Sequence, residues 1–151
     1  MLRWLLRIVL VAGAIAVGWW VWDRFLVPDE TKIRRLVAAM KDAVIRRNAL
    51  RLSDSIAQDY SDDFGLNKST LLGVARSFRD QFDEVTIEIP ELAVTVEPDH
   101  QTARAALRAT VVGFKGGIRQ EPADDQLRLF FRKTDDGWKL TRIEAPKLES
   151  Y

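Results

Sequence analysis

Hydrophobic and polar positions change their rhythm twice along the 151 residues. Ile8 to Trp22 runs fifteen residues without a charge, Asp23-Arg24 closes the run, and Phe25-Leu26-Val27 follow. From residue 28 the apolar positions recur at helical spacing. Pro28-Asp29-Glu30-Thr31 suits a first helical turn, with acids that complement the helix dipole. Ile33, Leu36, Val37, Met40 and Val44 then form one stripe. Asn48 to Gln58 predicts a short second helix carrying Leu50, Leu52 and Ile56. Asp59 to Gly65 is a loop by composition. Ser69 is the expected cap of a third helix, with Leu71, Leu72, Val74, Ala75 and Phe78 on its buried side and an end near Gln81-Phe82.

After residue 84 the period falls to two. Val85, Ile87 and Ile89 alternate with polar residues, and then Leu92, Val94 and Val96 do. The inward parity flips across Pro90-Glu91, which predicts a bulge or kink. Pro98 to Gln101 is a turn into a strand over 102–114. Lys115-Gly116-Gly117 begins a longer connection through Asp125. Strands follow over 126–134 and 138–144, joined by Thr134-Asp135-Asp136-Gly137. The expected inward residues are Val85, Ile87, Leu92, Val94, Val96, Ala105, Leu107, Ala109, Val111, Leu127, Leu129, Phe131, Trp138 and Leu140. The pattern predicts an α+β protein: a single N-terminal helix, then about three helices packed on a bent antiparallel sheet of about four strands.

The leading run reads as a transmembrane anchor over residues 1–27, followed by one domain over 28–151. Trp4 stands at one end of it and Trp19, Trp20 and Trp22 at the other. Indole rings favour the membrane–water interface. At ~1.5 Å per residue the two groups lie roughly 23–27 Å apart, close to the ~30 Å hydrocarbon core. A cleaved signal peptide is the alternative, since Arg3 and Arg7 precede an apolar stretch with Ala12, Ala14 and Ala16. The apolar run continues well past those alanines, which favours retention. Arg3, Arg7 and the amino terminus place that end in the cytoplasm, although Lys32, Arg34 and Arg35 argue the other way. The expected location is the inner membrane, single-pass, with the domain on the periplasmic side. Gly13, Gly18 and the neighbouring alanines present small faces that allow close helix approach.

Composition narrows the domain's partners. The net charge is +1. The first 27 residues carry Arg3, Arg7 and Arg24 against Asp23, a balance of +2, so the remainder stands at −1. Such a domain exerts no global pull on nucleic acid. The absence of cysteine excludes a disulfide framework and a thiol site.

Three features carry a family resemblance. They are the helix–helix–helix–bent strand–hairpin order, the acidic-aromatic loop Asp59-Tyr60-Ser61-Asp62-Asp63-Phe64-Gly65, and the ending Phe131 to Leu140 with its Gly137-Trp138 step. Over about residues 30–145 the chain resembles the nuclear transport factor 2-like (SnoaL-like, cystatin-like) superfamily. The resemblance implies a cone with a pocket between sheet and helices. It also implies a range of roles, from isomerases and dehydratases to ligand binders and non-catalytic interaction domains, so it carries little functional weight.

The chemical candidates are few. Enzymes of that superfamily often use a pocket His or Asp as base, but the sole histidine, His100, falls in a turn where a polar side chain is ordinarily just solvated. Asp54, Asp59, Asp62 and Asp63 lack the distal glutamate of a calcium loop, and capping and turn duties account for them, so no metal or cofactor is expected. Tyr60 and Phe64 are expected in the core. Arg104, Arg108, Arg128 and Arg132 are the most suggestive group. Each pair is four apart on a strand and faces one side, so neighbouring strands would gather them into a docking patch for an acidic partner or phosphate headgroup. The alternative is a solvated face neutralised by acids such as Glu88 and Glu97.

The expected function is that of a non-enzymatic accessory module: a bilayer anchor tethering the domain where it helps assemble or stabilise a membrane protein complex. The alternative is a binder of a small apolar or lipid-derived ligand in the cone pocket. An isomerase- or dehydratase-like enzyme is the least favoured reading, because no convincing acid–base pair is visible.

Overall fold

The computed structural model describes residues 2–145, with the side chains of residues 2–10 and 23–25 outside that description. Helix α1 (Leu2–Phe25) is followed by α2 (Asp29–Ile45), α3 (Ala49–Asp54) and α4 (Lys68–Asp80). The strands are β1 (Glu84–Val96), β2 (Thr102–Lys115), β3 (Ile118–Arg119), β4 (Ala123–Thr134) and β5 (Gly137–Glu144). They form one antiparallel sheet in the order β1-β2-β4-β5, with β3 paired to β2. The α+β class and the bent sheet match the expectation, but the sheet has five strands.

Pro28 sits at the N-cap of α2 with Asp29 and Glu30 in the first turn. Ile33 and Val37 face the sheet and are buried, and the Arg34 guanidinium donates to the Leu92 carbonyl at 2.9 Å, tying α2 to β1. Past α2, Arg47 adopts a left-handed conformation (φ 58°), and the Asn48 side chain caps α3 by accepting from the Arg51 N–H. Six residues are too few to bury a stripe. Leu50 is 74% exposed, while Ile56 is buried beyond the helix, bridged in parallel to Leu140.

The cap of α4 also differs from expectation. Asn67, not Ser69, accepts from the Thr70 N–H, and Thr70 Oγ1 accepts from the Asn67 N–H in return. Asn67 wins because it bridges Ser61 across the loop, which holds it extended one residue before the helix. Val74, expected to be buried, is 52% exposed.

β1 is one long strand whose register with β2 shifts between Glu88 and Glu91, where the parity flip predicts a kink. Ala103 and Ala105 of β2 lie opposite Phe131 and Leu129 of β4, small against large. With Ile33, Val37, Ile56, Tyr60, Leu107, Ala109, Trp138 and Leu140 they make up the core. At the far end of β2, Val112 is buried more deeply than the expected Val111. Consecutive residues face opposite ways, and Gly113 is buried too, so both faces are covered there. A Cβ on Gly113 would stand 2.3 Å from Phe82 Cδ1.

Gly116 and Gly117, with φ of 58° and 76°, turn the chain straight back into β3. β4 then begins at Ala123, three residues before the expected start, because backbone pairing continues through Asp124 and Asp125. The free edge of β5 is covered by residues 55–61: Leu140 N–H donates to Ser55 O and Ala57 N–H to Leu140 O, both at 2.9 Å. A covered edge offers no ladder to a second chain.

Every side chain from Val11 to Trp22 in α1 is exposed. Those twelve residues extend ~18 Å, and among the residues whose side chains are described no helix is long and apolar enough to cross a membrane. Trp4, named above as an interfacial residue, has its side chain outside the described residues.

Candidate functional site

The four arginines meet on the outer face of the sheet. Arg104 and Arg108 project from β2, Arg128 and Arg132 from β4, and the register sets Arg104 opposite Phe130 and Arg128 opposite Ala106. A shallow groove of about 390 Å³ lies on this face, lined by Glu97, Thr102, Arg104, Phe130, Arg132 and Thr141.

Three of the four are ion-paired. Arg104 lies 3.4 Å from Glu97, one of the two acids expected to neutralise it; Glu88, opposite Thr110, forms no ion pair among the described residues. Arg108 engages Asp124, which also accepts from Thr110 Oγ1 at 3.0 Å. Arg132 grips Asp59 with both terminal nitrogens, at 2.7 and 3.0 Å. Arg128 has no ion pair among the described residues. A fifth arginine, Arg142 of β5, holds Asp63 at 2.8 Å and lies 5.7 Å from the Phe130 ring. The hydrogen bond from Arg132 holds Asp59 below the usual carboxylate range, and that from Arg108 does the same to Asp124. The guanidiniums of Arg108, Arg132 and Arg142 are correspondingly raised, chiefly by hydrogen bonds to their acids.

The loop acids therefore have work that their local sequence does not reveal. Asp62 turns the loop by accepting from Phe64 and Leu66 N–H, whereas Asp59 and Asp63 neutralise arginines more than 70 residues away. Tyr60 is buried as expected, its hydroxyl donating to Asp62 at 2.6 Å, and burial with that carboxylate raises its pKa. Phe64, expected in the core, is 60% exposed at the turn of the loop.

A second polar cluster escapes sequence reasoning. Asp29 is read there only as a dipole partner for its own helix. In the fold its Oδ1 accepts from Lys133 Nζ and from the Trp138 indole N–H, both at 3.1 Å. His100 stands in its turn with φ 53°, its side chain 74% exposed and Nδ1 3.8 Å from Asp29 Oδ2. Burial works to raise the Asp29 pKa, but the hydrogen bonds from Trp138 and Lys133 outweigh it and hold the carboxyl below the usual carboxylate range. The only legible hint was the Gly-Trp step, because a buried indole N–H requires an acceptor. Among the described residues no group of three or more His, Asp or Glu is placed to hold a metal.

Apolar side chains of the helices and the inner sheet face form the core, the arginine pairs lie on the opposite sheet face, and Asp29 joins α2 to the last hairpin. No family model matches the sequence, and no curated protein matches it. Solved structures do. An NTF2-like protein with a cystatin-like fold from Novosphingobium aromaticivorans is 21% identical, with 91% of this chain and 90% of that one covered and a TM-score of 0.65. A protein of the same organism provisionally assigned as an aromatic ring hydroxylase is 20% identical over 82% and 93%, with a TM-score of 0.68. Another, provisionally a scytalone dehydratase, is 13% identical over 74% and 78%, with a TM-score of 0.62. At these identities the likeness is one of fold alone, the cystatin-like fold that the first of these neighbours carries.

Proposed function

We propose that this chain is a membrane-tethered NTF2-like interaction module, with α1 as a single-pass anchor and the arginine-lined groove as the docking surface for an acidic segment of a membrane protein partner. The observation that carries the reading is the exposure of Val11 to Trp22, a stretch without a charge. A helix that is apolar all round belongs inside a protein or a bilayer. Val11, Ile15, Val17, Trp19, Val21 and Trp22 are all large and exposed. Burying such side chains gains ~1.5–3 kcal/mol each, so lipid contact is worth on the order of 10 kcal/mol. As one helix of 24 residues, α1 is ~36 Å long, against a hydrocarbon core of ~30 Å. Arg3 and Arg7 orient it with the amino terminus in the cytoplasm. The dehydratase and hydroxylase names belong to the neighbours alone, since shared fold does not transfer chemistry.

Alkaline carbonate extraction, combined with crosslinking in intact membranes, tests this. The full chain is expected in the membrane pellet with its partner crosslinked, and residues 28–151 alone are expected in the supernatant without it. Recovery of the full chain in the supernatant, or a mature protein whose amino terminus lies near Val17, overturns the reading.

A further inference from the structure

A second cleft, of about 370 Å³, opens between the C-terminal half of α2, α3 and α4, away from the arginine groove. Leu52, Leu72 and Ala75 give it an apolar lining, and Arg47, Arg76 and Arg79 line it with charge. Asp80 is the single carboxylate there, 3.9 Å from Arg76. Three guanidiniums against one carboxylate leave an excess of two positive charges.

Arg79 makes the imbalance costly. It is only 9% exposed and has no carboxylate within ion-pairing distance among the described residues. Its Nε donates to Ile45 O at 3.1 Å, Nη1 to Phe82 O at 2.8 Å and Nη2 to Asp83 O at 3.3 Å. The carbonyl ends of α2 and α4 partly offset the charge. Those three bonds occupy three of the five N–H donors of the guanidinium. Arg47 is held over the cleft by its left-handed backbone and by a bond from Nη2 to Phe82 O at 3.1 Å. Arg76 remains 83% exposed on its side chain. A buried cation without an anion is an unfavourable arrangement, and guanidinium forks match planar carboxylates.

We infer that this cleft binds a small amphipathic carboxylic acid, its carboxylate held by Arg47 and Arg76 above Arg79 and its short apolar body against Leu52, Leu72 and Ala75. The volume lies near the lower end of the range for small-molecule sites, ~300–1,000 Å³, which favours a compact ligand. The inference is independent of the membrane reading, because none of these residues lies in α1 or on the outer sheet face.

Octanoate is the probe, with octanol and octylamine as its uncharged and cationic counterparts, followed by amide chemical-shift titration of the full chain. Octanoate is expected to shift residues in 44–52 and 72–80 and to bind more tightly than octanol, with octylamine not binding. Arg47→Gln with Arg76→Gln is expected to weaken octanoate about tenfold or more, as the loss of charge-assisted hydrogen bonds requires, while leaving octanol unchanged. Both side chains are exposed, so an unaltered unfolding midpoint verifies the fold. Ala75→Leu fills the cleft and is expected to abolish both octanoate and octanol binding. Equal affinity for octanoate and octanol, an unweakened double variant, or shifts confined to α1 or the sheet each overturns the proposal.

Discussion

Replacing Asp29 by alanine removes the one carboxylate that joins the first turn of α2 to the last hairpin of the sheet. The structure breaks the loss into parts. The Trp138 indole N–H, on a buried ring, loses its acceptor, and an unsatisfied buried donor costs ~1–3 kcal/mol. The pair with Lys133 is partly exposed and adds up to about 1 kcal/mol. The acid in the first turn of α2 contributes ~0.3–1 kcal/mol through the helix dipole. The expected total for Asp29→Ala is about 2–4 kcal/mol. Asp29→Asn keeps an oxygen for Trp138 and forfeits only the charge terms, about 1 kcal/mol. In urea, with a slope of ~1–3 kcal/mol per molar, the alanine variant's midpoint falls by roughly 1–2 M and the asparagine variant's by less. The pH profile supplies the sign. A carboxyl whose folded pKa lies below its unfolded value stabilises the fold above the unfolded pKa and stops doing so as pH falls through the folded one. The gap between wild type and Asp29→Asn is therefore constant above the ordinary carboxylate range and closes only as pH falls through the lowered folded pKa. Circular dichroism of urea unfolding across pH measures it. Equal losses for the alanine and asparagine variants, or a gap that closes well above pH 4, refutes the assignment of Asp29 as the acceptor that locks the hairpin.

Gly113→Ala drives a methyl into the Phe82 ring, with approaches of 2.3, 2.4 and 2.7 Å to Cδ1, Cε1 and Cγ. Phe82 also meets Phe78 edge-on at 5.5 Å, so displacing its ring disturbs that pair, and overpacking of ~1–3 kcal/mol is expected. Thermal unfolding reads the loss, and Phe82→Leu in the same chain restores part of it. Asn67→Ala removes one half of the α4 capping box and is expected to cost ~1 kcal/mol, whereas Ser69→Ala stays within ~0.5 kcal/mol; chemical denaturation of the two variants separates the true cap from the apparent one.

Local chemistry was legible where neighbours along the chain decide the outcome. The proline and acids at 28–30, the parity flip at Pro90-Glu91 and the glycine at 137 each act within a few residues, and α2, the β1 kink and the last hairpin formed where the sequence predicts them. Ser69 misled because hydroxyl and amide both cap helices, and the choice of Asn67 depends on a bridge to Ser61 across a loop. β3 and the early start of β4 escaped notice because Gly116-Gly117 and the paired Asp124-Asp125 interrupt the apolar alternation while the backbone ladder continues.

Periodicity in the sequence alone determined the α+β class, the order of helices and strands, and the faces that turn inward, because burial of apolar surface selects spacings of about 3.6 and 2. Apart from the Arg104–Glu97 pair, which charges meet was decided only in the tertiary structure. Asp59 finds Arg132, Asp63 finds Arg142, Asp29 finds Lys133 and Trp138, and three arginines gather at the helix cleft. Coulomb and hydrogen-bond energies depend on separation in space, and the spacing of residues along a chain does not report that separation until the backbone has folded.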